Sequence, residues 1–316
     1  MCFDQTSPCH DLGQELRDAY IASGRDEQFG LVFDGLLRTD GDGQVLPMPR
    51  HFTDTQETRG VMVVAKSGAG KTRMISRALA RHPALQPDET RLRPWIMARV
   101  PSPATTKGLG IAILEATDYP CSGTKRVERE IWSMVRHRLA ELGTIALWID
   151  EAQDLFGKKD ASETRNILNL LKAQMQGEGS VIVILSGVEE LQQIAATDRQ
   201  ITRRFKKMHL QDISAGTDNA MLRGIVESYC RKAGLGAPTF ADELLGRMVH
   251  AAQSRLGQFI ENLLNAIEIA LDEGATALDR GHFIEAHAAE TGCTPTDNVY
   301  MSSNWSRVDL DRVPAL

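Results

Sequence analysis

Along the middle of the chain, short unbroken apolar runs alternate with amphipathic stretches of helix length. From Val61 onward the runs are VMVVA, PWIMARV, IALWI, VIVIL and, more weakly, KKMHL. Each is bounded by turn residues and too short for a buried helix, so each reads as a strand covered on both faces. The segments between them have helical spacing: Ile131, Val135, Leu139 and Leu142 share one face, and Ile167, Leu168, Leu171 and Met175 share another. Strands alternating with helices in this way predict a parallel α/β sheet with helices on both sides.

The flanks read differently. Residues 1–55, with the turn-rich TDGDGQ and PMPR, form an N-terminal extension leading irregularly into a core over 56–215. After about residue 215 the strand signals stop. Two amphipathic helices follow, one turning Leu244, Leu245, Met248 and Val249 inward, the other Ile260, Leu263, Leu264, Ile267 and Leu271, which predicts a small helical domain over 216–290. Residues 291–316 are polar and aperiodic, and isolated Tyr300 and Trp305 make them read as an extended tail.

Composition adds limits. The 316 residues are 42% hydrophobic and 25% charged, a globular profile, and 36 Lys+Arg against 42 Asp+Glu leave a net charge of −6. Bulk basicity therefore cannot hold a nucleic acid, and any such partner needs local patches. Cys2, Cys9, Cys121, Cys230 and Cys293 show no metal-ligand spacing and fit reduced thiols in a cytoplasmic protein. The eight histidines form no HExxH-like pattern, no targeting segment is evident at the N-terminus, and no apolar run can span a bilayer.

The chemistry begins where VMVVA runs into Lys66, Ser67, Gly68, Ala69, Gly70, Lys71 and Thr72 and then into the helix-like RMISRALA. Strand, glycine loop and helix occur in the order of a P-loop: backbone N–H groups cradle phosphate oxygens, Lys71 reaches the β- and γ-phosphates, and the Thr72 hydroxyl binds magnesium. The first glycine of GxxxxGK[ST] is replaced by Ala65, which demands either ordinary backbone torsions or a small strain. ATP with Mg2+ is the implied ligand.

IALWIDE sets Asp150 and Glu151 at the carboxyl edge of the sheet, Asp150 for the magnesium shell and Glu151 to polarise the attacking water. An acidic pair also suits the N-terminus of the next helix. VIVIL ends at Ser186, whose hydroxyl can meet the γ-phosphate or the water, or simply make a turn. DRQITRRFKKMHL concentrates Arg199, Arg203, Arg204, Lys206 and Lys207, where an arginine can act as a finger on a neighbouring subunit's nucleotide or the cluster can form a solvated basic face.

In this order the motifs resemble the AAA+ ATPases, over roughly residues 55–275. WIDEAQDLF, LSGVEELQQI and DRQITRRFKKMHL are similar to the TniB/TnsC/MuB group of transposition regulators. The resemblance implies an AAA+ P-loop NTPase core, a parallel five-stranded sheet of order 5-1-4-3-2, with a small C-terminal helical lid. It implies Lys71 and Thr72 as the Walker A pair, Asp150 and Glu151 as Walker B, Ser186 as sensor 1 and Arg204 or Arg203 as the finger. It further implies ATP-dependent assembly into a ring or helical filament on double-stranded DNA, with a transposase and a target-selector protein as partners. A sensor-2 arginine is expected at the start of the helix reaching Glu261–Leu264, yet that register holds Gln258, with Arg255 upstream. A replication-initiator or helicase-loader type ATPase shares the core motifs. A nucleotide-gated scaffold without turnover has less need of Glu151, and a small-molecule kinase leaves the helical domain and the Arg-Phe motif unexplained.

Overall fold

The computed structural model describes residues 8–121, 125–156, 161–196, 199–241 and 243–310. Contacts divide it into two units: Gly24–Ser67 with Lys71–Leu210, and the described parts of Met1–Ser23 and Gln211–Leu316 together with Gly68–Gly70.

The first helix, α1 (Pro8–Asp18), belongs to the second unit. The larger unit opens with α2 (Gly24–Asp34) and an antiparallel hairpin, β1 (Leu37–Thr39) with β2 (Val45–Pro49). The hairpin's turn is held by Asp40, whose Oδ1 accepts from the Asp42 and Gln44 amides at 3.0 and 2.8 Å. Helix α2 buries Phe29 and Phe33, stacked at 6.0 Å, and Phe33 meets the His82 ring edge-on at 5.2 Å. Only those two aromatics of α2 face inward, so the sequence pattern over 1–55 shows no helical stripe there although the described residues from Pro8 onward are folded.

The apolar runs form β3 (Gly60–Val64), β4 (Trp95–Arg99), β5 (Ala146–Asp150), β6 (Ile182–Gly187) and β7 (Phe205–His209). All five are parallel, in the order β4-β5-β6-β3-β7, which counted from the first core strand is 5-1-4-3-2. Between them run α3 (Lys71–Arg81), α4 (Thr106–Glu115), α5 (Glu128–Glu141), α6 (Ala161–Gln174), α7 (Glu189–Ala196) and α8 (Arg199–Arg204). Met62, Val64, Leu147, Ile149, Val183 and Leu185 share a core with Ile113, Ile131, Val135 and Leu171 from the helices. The alternate strand positions Val61, Val63, Trp148 and Ile184 are equally buried, as strands covered on both faces require.

The second unit packs α9 (Asn219–Ala233), α10 (Leu244–Ala251), α11 (Leu256–Asp272) and α12 (Arg280–Thr291) around Tyr229, Phe259, Leu263, Ile267 and Phe283. Two helices therefore exceed the two that the sequence pattern predicts. The inward positions of α12 are His282, Phe283, Ala286 and His287, a face that reads as half polar. In α9 the stripe of Leu222, Ile225 and Val226 is broken by Arg223 and Gly224. Helix α1 docks here through Leu16 and through Arg17, which donates to Glu261 at 2.5 Å, Glu268 at 2.8 Å and Asn265 at 3.1 Å, all on α11.

The expected extended tail is instead folded over 298–308. Tyr300 is 1% exposed, stacks on Phe283 at 5.4 Å and meets His287 edge-on at 5.7 Å. Arg247 donates to the Val299 and Ser302 carbonyls at 2.7 and 2.8 Å, and Trp305 donates to Glu243 at 2.7 Å. An aromatic isolated in sequence gives no periodicity, yet one such ring fills a core. No described helix is long and apolar enough to cross a membrane.

The Tyr300 hydroxyl is buried without a hydrogen-bond partner among the described residues, and burial pushes the phenol's pKa well above its usual value. Tyr300→Phe is therefore expected to be neutral or to stabilise by up to about 1 kcal/mol, since no bond is lost. Tyr300→Ala should cost about 3–5 kcal/mol through the cavity it leaves. Urea unfolding of both variants checks this, and a clear loss in the Phe variant would reveal a partner for the hydroxyl.

Candidate functional site

All five strands point the same way, so their carboxyl ends collect residues from distant parts of the sequence along one edge. The P-loop leaves β3 there. Ala65 is not among the residues with positive φ, so the departure from the glycine pattern is absorbed by ordinary torsions, and its amide donates to the Gly187 carbonyl at 3.2 Å. The left-handed turns fall on Gly68, at φ +76°, and Gly70, at φ +87°, where a side chain would be strained. Ser67 and Gly68 are exposed and Ala69 is buried. Lys71 opens α3, is 5% exposed, and lays its Nζ on the carbonyls of Ala65 at 3.0 Å and Lys66 at 3.1 Å. Burial lowers its pKa, opposed by Glu151 first and Asp150 second.

Asp150 ends β5 with no exposed surface. A carboxylate so placed needs donors, and it has them. Thr72 Oγ1 donates to Oδ2 at 2.9 Å and Ser186 Oγ donates to Oδ1 at 2.5 Å, while Arg99 lies 3.8 Å from Oδ2. Behind Ser186, the fully buried Trp148 donates its indole N–H to Ser186 Oγ at 2.7 Å. Four residues thus form one line: Trp148, Ser186, Asp150, Thr72. Ser186 is at the expected strand end, and here its proton is committed to Asp150. A hydroxyl and a carboxylate converging at 2.9 Å, with the strand edge beyond, fit magnesium, which is held by few protein oxygens and keeps its waters. Thr72 and Asp150 are the residues that would hold it.

Glu151 does not behave as a helix cap. It precedes the 3-10 turn Ala152–Leu155 without any side-chain capping bond, and its backbone is left-handed at φ 53°, ψ 41°. For a residue with a Cβ that conformation costs roughly 1–2 kcal/mol, the kind of strain that gathers at working sites. Gln153, which lies in WIDEAQDLF without a role assigned from the sequence, fixes it: Nε2 donates to Glu151 Oε2 at 2.9 Å while Oε1 accepts the Val188 amide at 3.2 Å, joining the ends of β5 and β6. Trp148 and Gln153 lie outside the sequence-predicted set. The only signal for either is a polar-capable side chain within or just after a buried strand.

The two candidate finger residues part company. Arg204 is 5% exposed and pairs with Glu57 at 2.6 Å, whereas the Arg203 side chain is 67% exposed. Both precede β7, whose register pairs Phe205 with Gly60, so they stand at the amino edge of the sheet, opposite the P-loop. Arg203 is accordingly the one of the pair that can reach a neighbour. Within the helical unit, Arg255 is the N-cap residue of α11 and its guanidinium donates to Gln253, while the Gln258 amide donates to the Gly68 carbonyl at 3.0 Å. Gly257 permits this approach, since a Cβ there would lie 2.4 Å from the Gly68 oxygen.

Trp148→Phe keeps a ring in the core and removes the donor that fixes Ser186. ATP turnover is expected to fall roughly tenfold with ATP affinity held within about twofold, the signature of a positioning residue. Steady-state ATPase rates beside nucleotide titrations check it, and a wild-type rate would reduce the indole to packing.

No curated protein matches the chain in sequence. Among solved structures it resembles Cdc6p from Pyrobaculum aerophilum, at 13% identity and TM-score 0.62 over 90% of this chain and 75% of that one. The Aeropyrum pernix ORC1 protein in complex with DNA matches at 16% and 0.58, over 87% and 65%. The S. cerevisiae Hsp104–ADP complex matches at 21% and 0.50, over 89% and 44%, so the chain spans under half of that protein. At these identities the likeness is one of fold, the AAA+ P-loop NTPase core with a C-terminal helical region. A family model described as the bacterial TniB protein matches residues 48–215, more than half of the sequence and all of the carboxyl-edge constellation, and the chain belongs to that family.

Proposed function

We propose that this protein is an ATP-hydrolysing regulator of DNA transposition, which assembles on target duplex DNA with ATP bound and recruits or activates a transposase. The observation that carries the hydrolytic half is Glu151, held in a strained backbone beside Asp150 and not used as a cap. In this reading the N–H groups of Ser67–Gly70 cradle the phosphates and Lys71 leaves the Ala65 and Lys66 carbonyls for the β- and γ-oxygens. Thr72 and Asp150 hold the metal, Ser186 and Trp148 fix the carboxylate's orientation, and Glu151 takes the proton of the attacking water. Magnesium supplies charge neutralisation on the phosphoryl oxygens. Without the negative charge of Glu151, or with its backbone relaxed, the site would bind and not turn over.

Membership of the TniB family supports the transposition half. A replication-initiator role shares the fold of Cdc6p and ORC1, but that likeness rests on 13–16% identity and does not separate the two clients. With a net charge of −6, single subunits should hold duplex poorly. Head-to-tail assembly repeats one small basic patch along the phosphate backbone, so weak contacts add.

Duplex binding is therefore expected only with ATP, with little sequence preference and a steep loss as salt rises. Glu151→Gln should prolong it by retaining nucleotide, and Lys71→Ala should abolish it. Fluorescence anisotropy across a salt series with ATP, ADP and no nucleotide tests the proposal. Equal binding in all three states would reject it in favour of an ATPase whose client is not DNA.

Arg203 is expected to act on a neighbour's nucleotide. Mixing Arg203→Ala with Lys71→Ala subunits should restore part of the ATPase activity, because some mixed interfaces carry one intact half from each. No recovery while subunits demonstrably exchange would leave Arg203 a surface charge.

A further inference from the structure

The larger unit has a second basic site, at the amino edge of its sheet. A cavity of about 130 Å³ is lined there by Phe52, Glu57, Arg59, Arg203 and Arg204 among others, room for several water-sized groups of about 30 Å³ each. Three guanidinium groups face it with a single carboxylate. The carboxylate is already engaged: Glu57 Oε1 accepts from Arg204 at 2.6 Å and from Gln176 at 2.9 Å, and its Oε2 lies 4.0 Å from Arg203. Arg59 stacks over the Phe52 ring at 4.2 Å, an arrangement that leaves the in-plane N–H groups of a guanidinium facing outward.

Arg204 is the decisive residue. It is 5% exposed, it cannot lose its charge, and its Nε and Nη1 find no acceptor among the described residues. Buried donors of this kind are rare and call for an acceptor at the site. Three positive charges against one leave an excess of two, which matches a dianionic tetrahedral oxyanion in both charge and number of acceptor oxygens. The position excludes the nucleotide loop of the same subunit. Glu57–Arg59 lead into β3 and Arg203–Arg204 lead into β7, whereas the P-loop leaves the far end of β3, five residues or roughly 15 Å away.

We propose that this cavity is a phosphoryl-binding site, in which Arg59, Arg203 and Arg204 hold a phosphate-sized dianion independently of the P-loop. The group is free inorganic phosphate, held by one subunit's own residues. The site is formed by one subunit alone and so does not rest on the assembly or the DNA reading above.

The test uses the full chain carrying Lys71→Ala, which removes the P-loop cation, with inorganic phosphate as the probe in isothermal titration. Saturable binding is expected, weakened roughly tenfold by Arg59→Gln, the loss of about one charge-assisted hydrogen bond. Arg204→Lys, which preserves the charge opposite Glu57, should weaken it at least as much. Should that variant unfold, Arg59→Gln on a half-exposed position decides alone. Failure of ATP to compete in the Lys71→Ala background supports a free-phosphate site, whereas competition would assign the cluster to a nucleotide's phosphoryl group, the finger role proposed above for Arg203, and overturn the proposal. Absence of saturable phosphate binding in Lys71→Ala, or binding indifferent to Arg59→Gln, overturns the proposal.

Discussion

A carboxylate with no exposed surface is the constraint around which this site is organised. Asp150 needs polar partners around it, and they come from three segments far apart in sequence: the donors Thr72 after the P-loop and Ser186 at the end of β6, with Arg99 at the end of β4 3.8 Å away. Satisfying one residue therefore fixes the register of three neighbouring strand ends. The same arrangement sets Lys71 and Glu151 beside it, because both follow directly on elements that Asp150 has already positioned. Electrostatic need and strand alignment are here the same requirement.

Parallel strands give the sheet two chemically different rims. The carboxyl rim gathers the P-loop, Asp150, Glu151 and Ser186, whereas the amino rim gathers Glu57, Arg59, Arg203 and Arg204. A strand of five residues separates them, so a subunit cannot bring its own Arg203 to its own P-loop without dismantling β7. Any cooperation between the rims would therefore need a second subunit, as in the role proposed for Arg203.

The sequence makes the carboxyl rim legible because its chemistry is local. A glycine loop between strand and helix, and an acidic pair closing an apolar run, each carry their meaning within about eight residues. The links between them are not local: Trp148 reaches Ser186 across 38 positions, and Gln153 reaches Val188 across 35. Arg203 and Arg204 show the limit most sharply. They are adjacent and chemically identical, and which one is buried depends on where α8 ends against β7, a matter of ±1 residue that no pattern resolves. Tyr300 and α2 escape for a related reason, since one or two inward aromatics produce no period. The five strands, by contrast, follow from runs long enough to be read without their neighbours, whereas their order was legible only through the resemblance to the AAA+ ATPases.

The buried indole has an optical consequence. The chain has four tryptophans, and they sit in unlike places: Trp95 is half-buried on β4, Trp132 donates to a backbone carbonyl in α4, and Trp305 donates to Glu243 in the helical unit. Trp148 alone has its N–H in line with the carboxylate that meets Thr72. Shielded from solvent and hydrogen-bonded through Ser186 to Asp150, that indole is expected to change its emission when the charge around Asp150 changes, which makes it an intrinsic reporter of this strand edge.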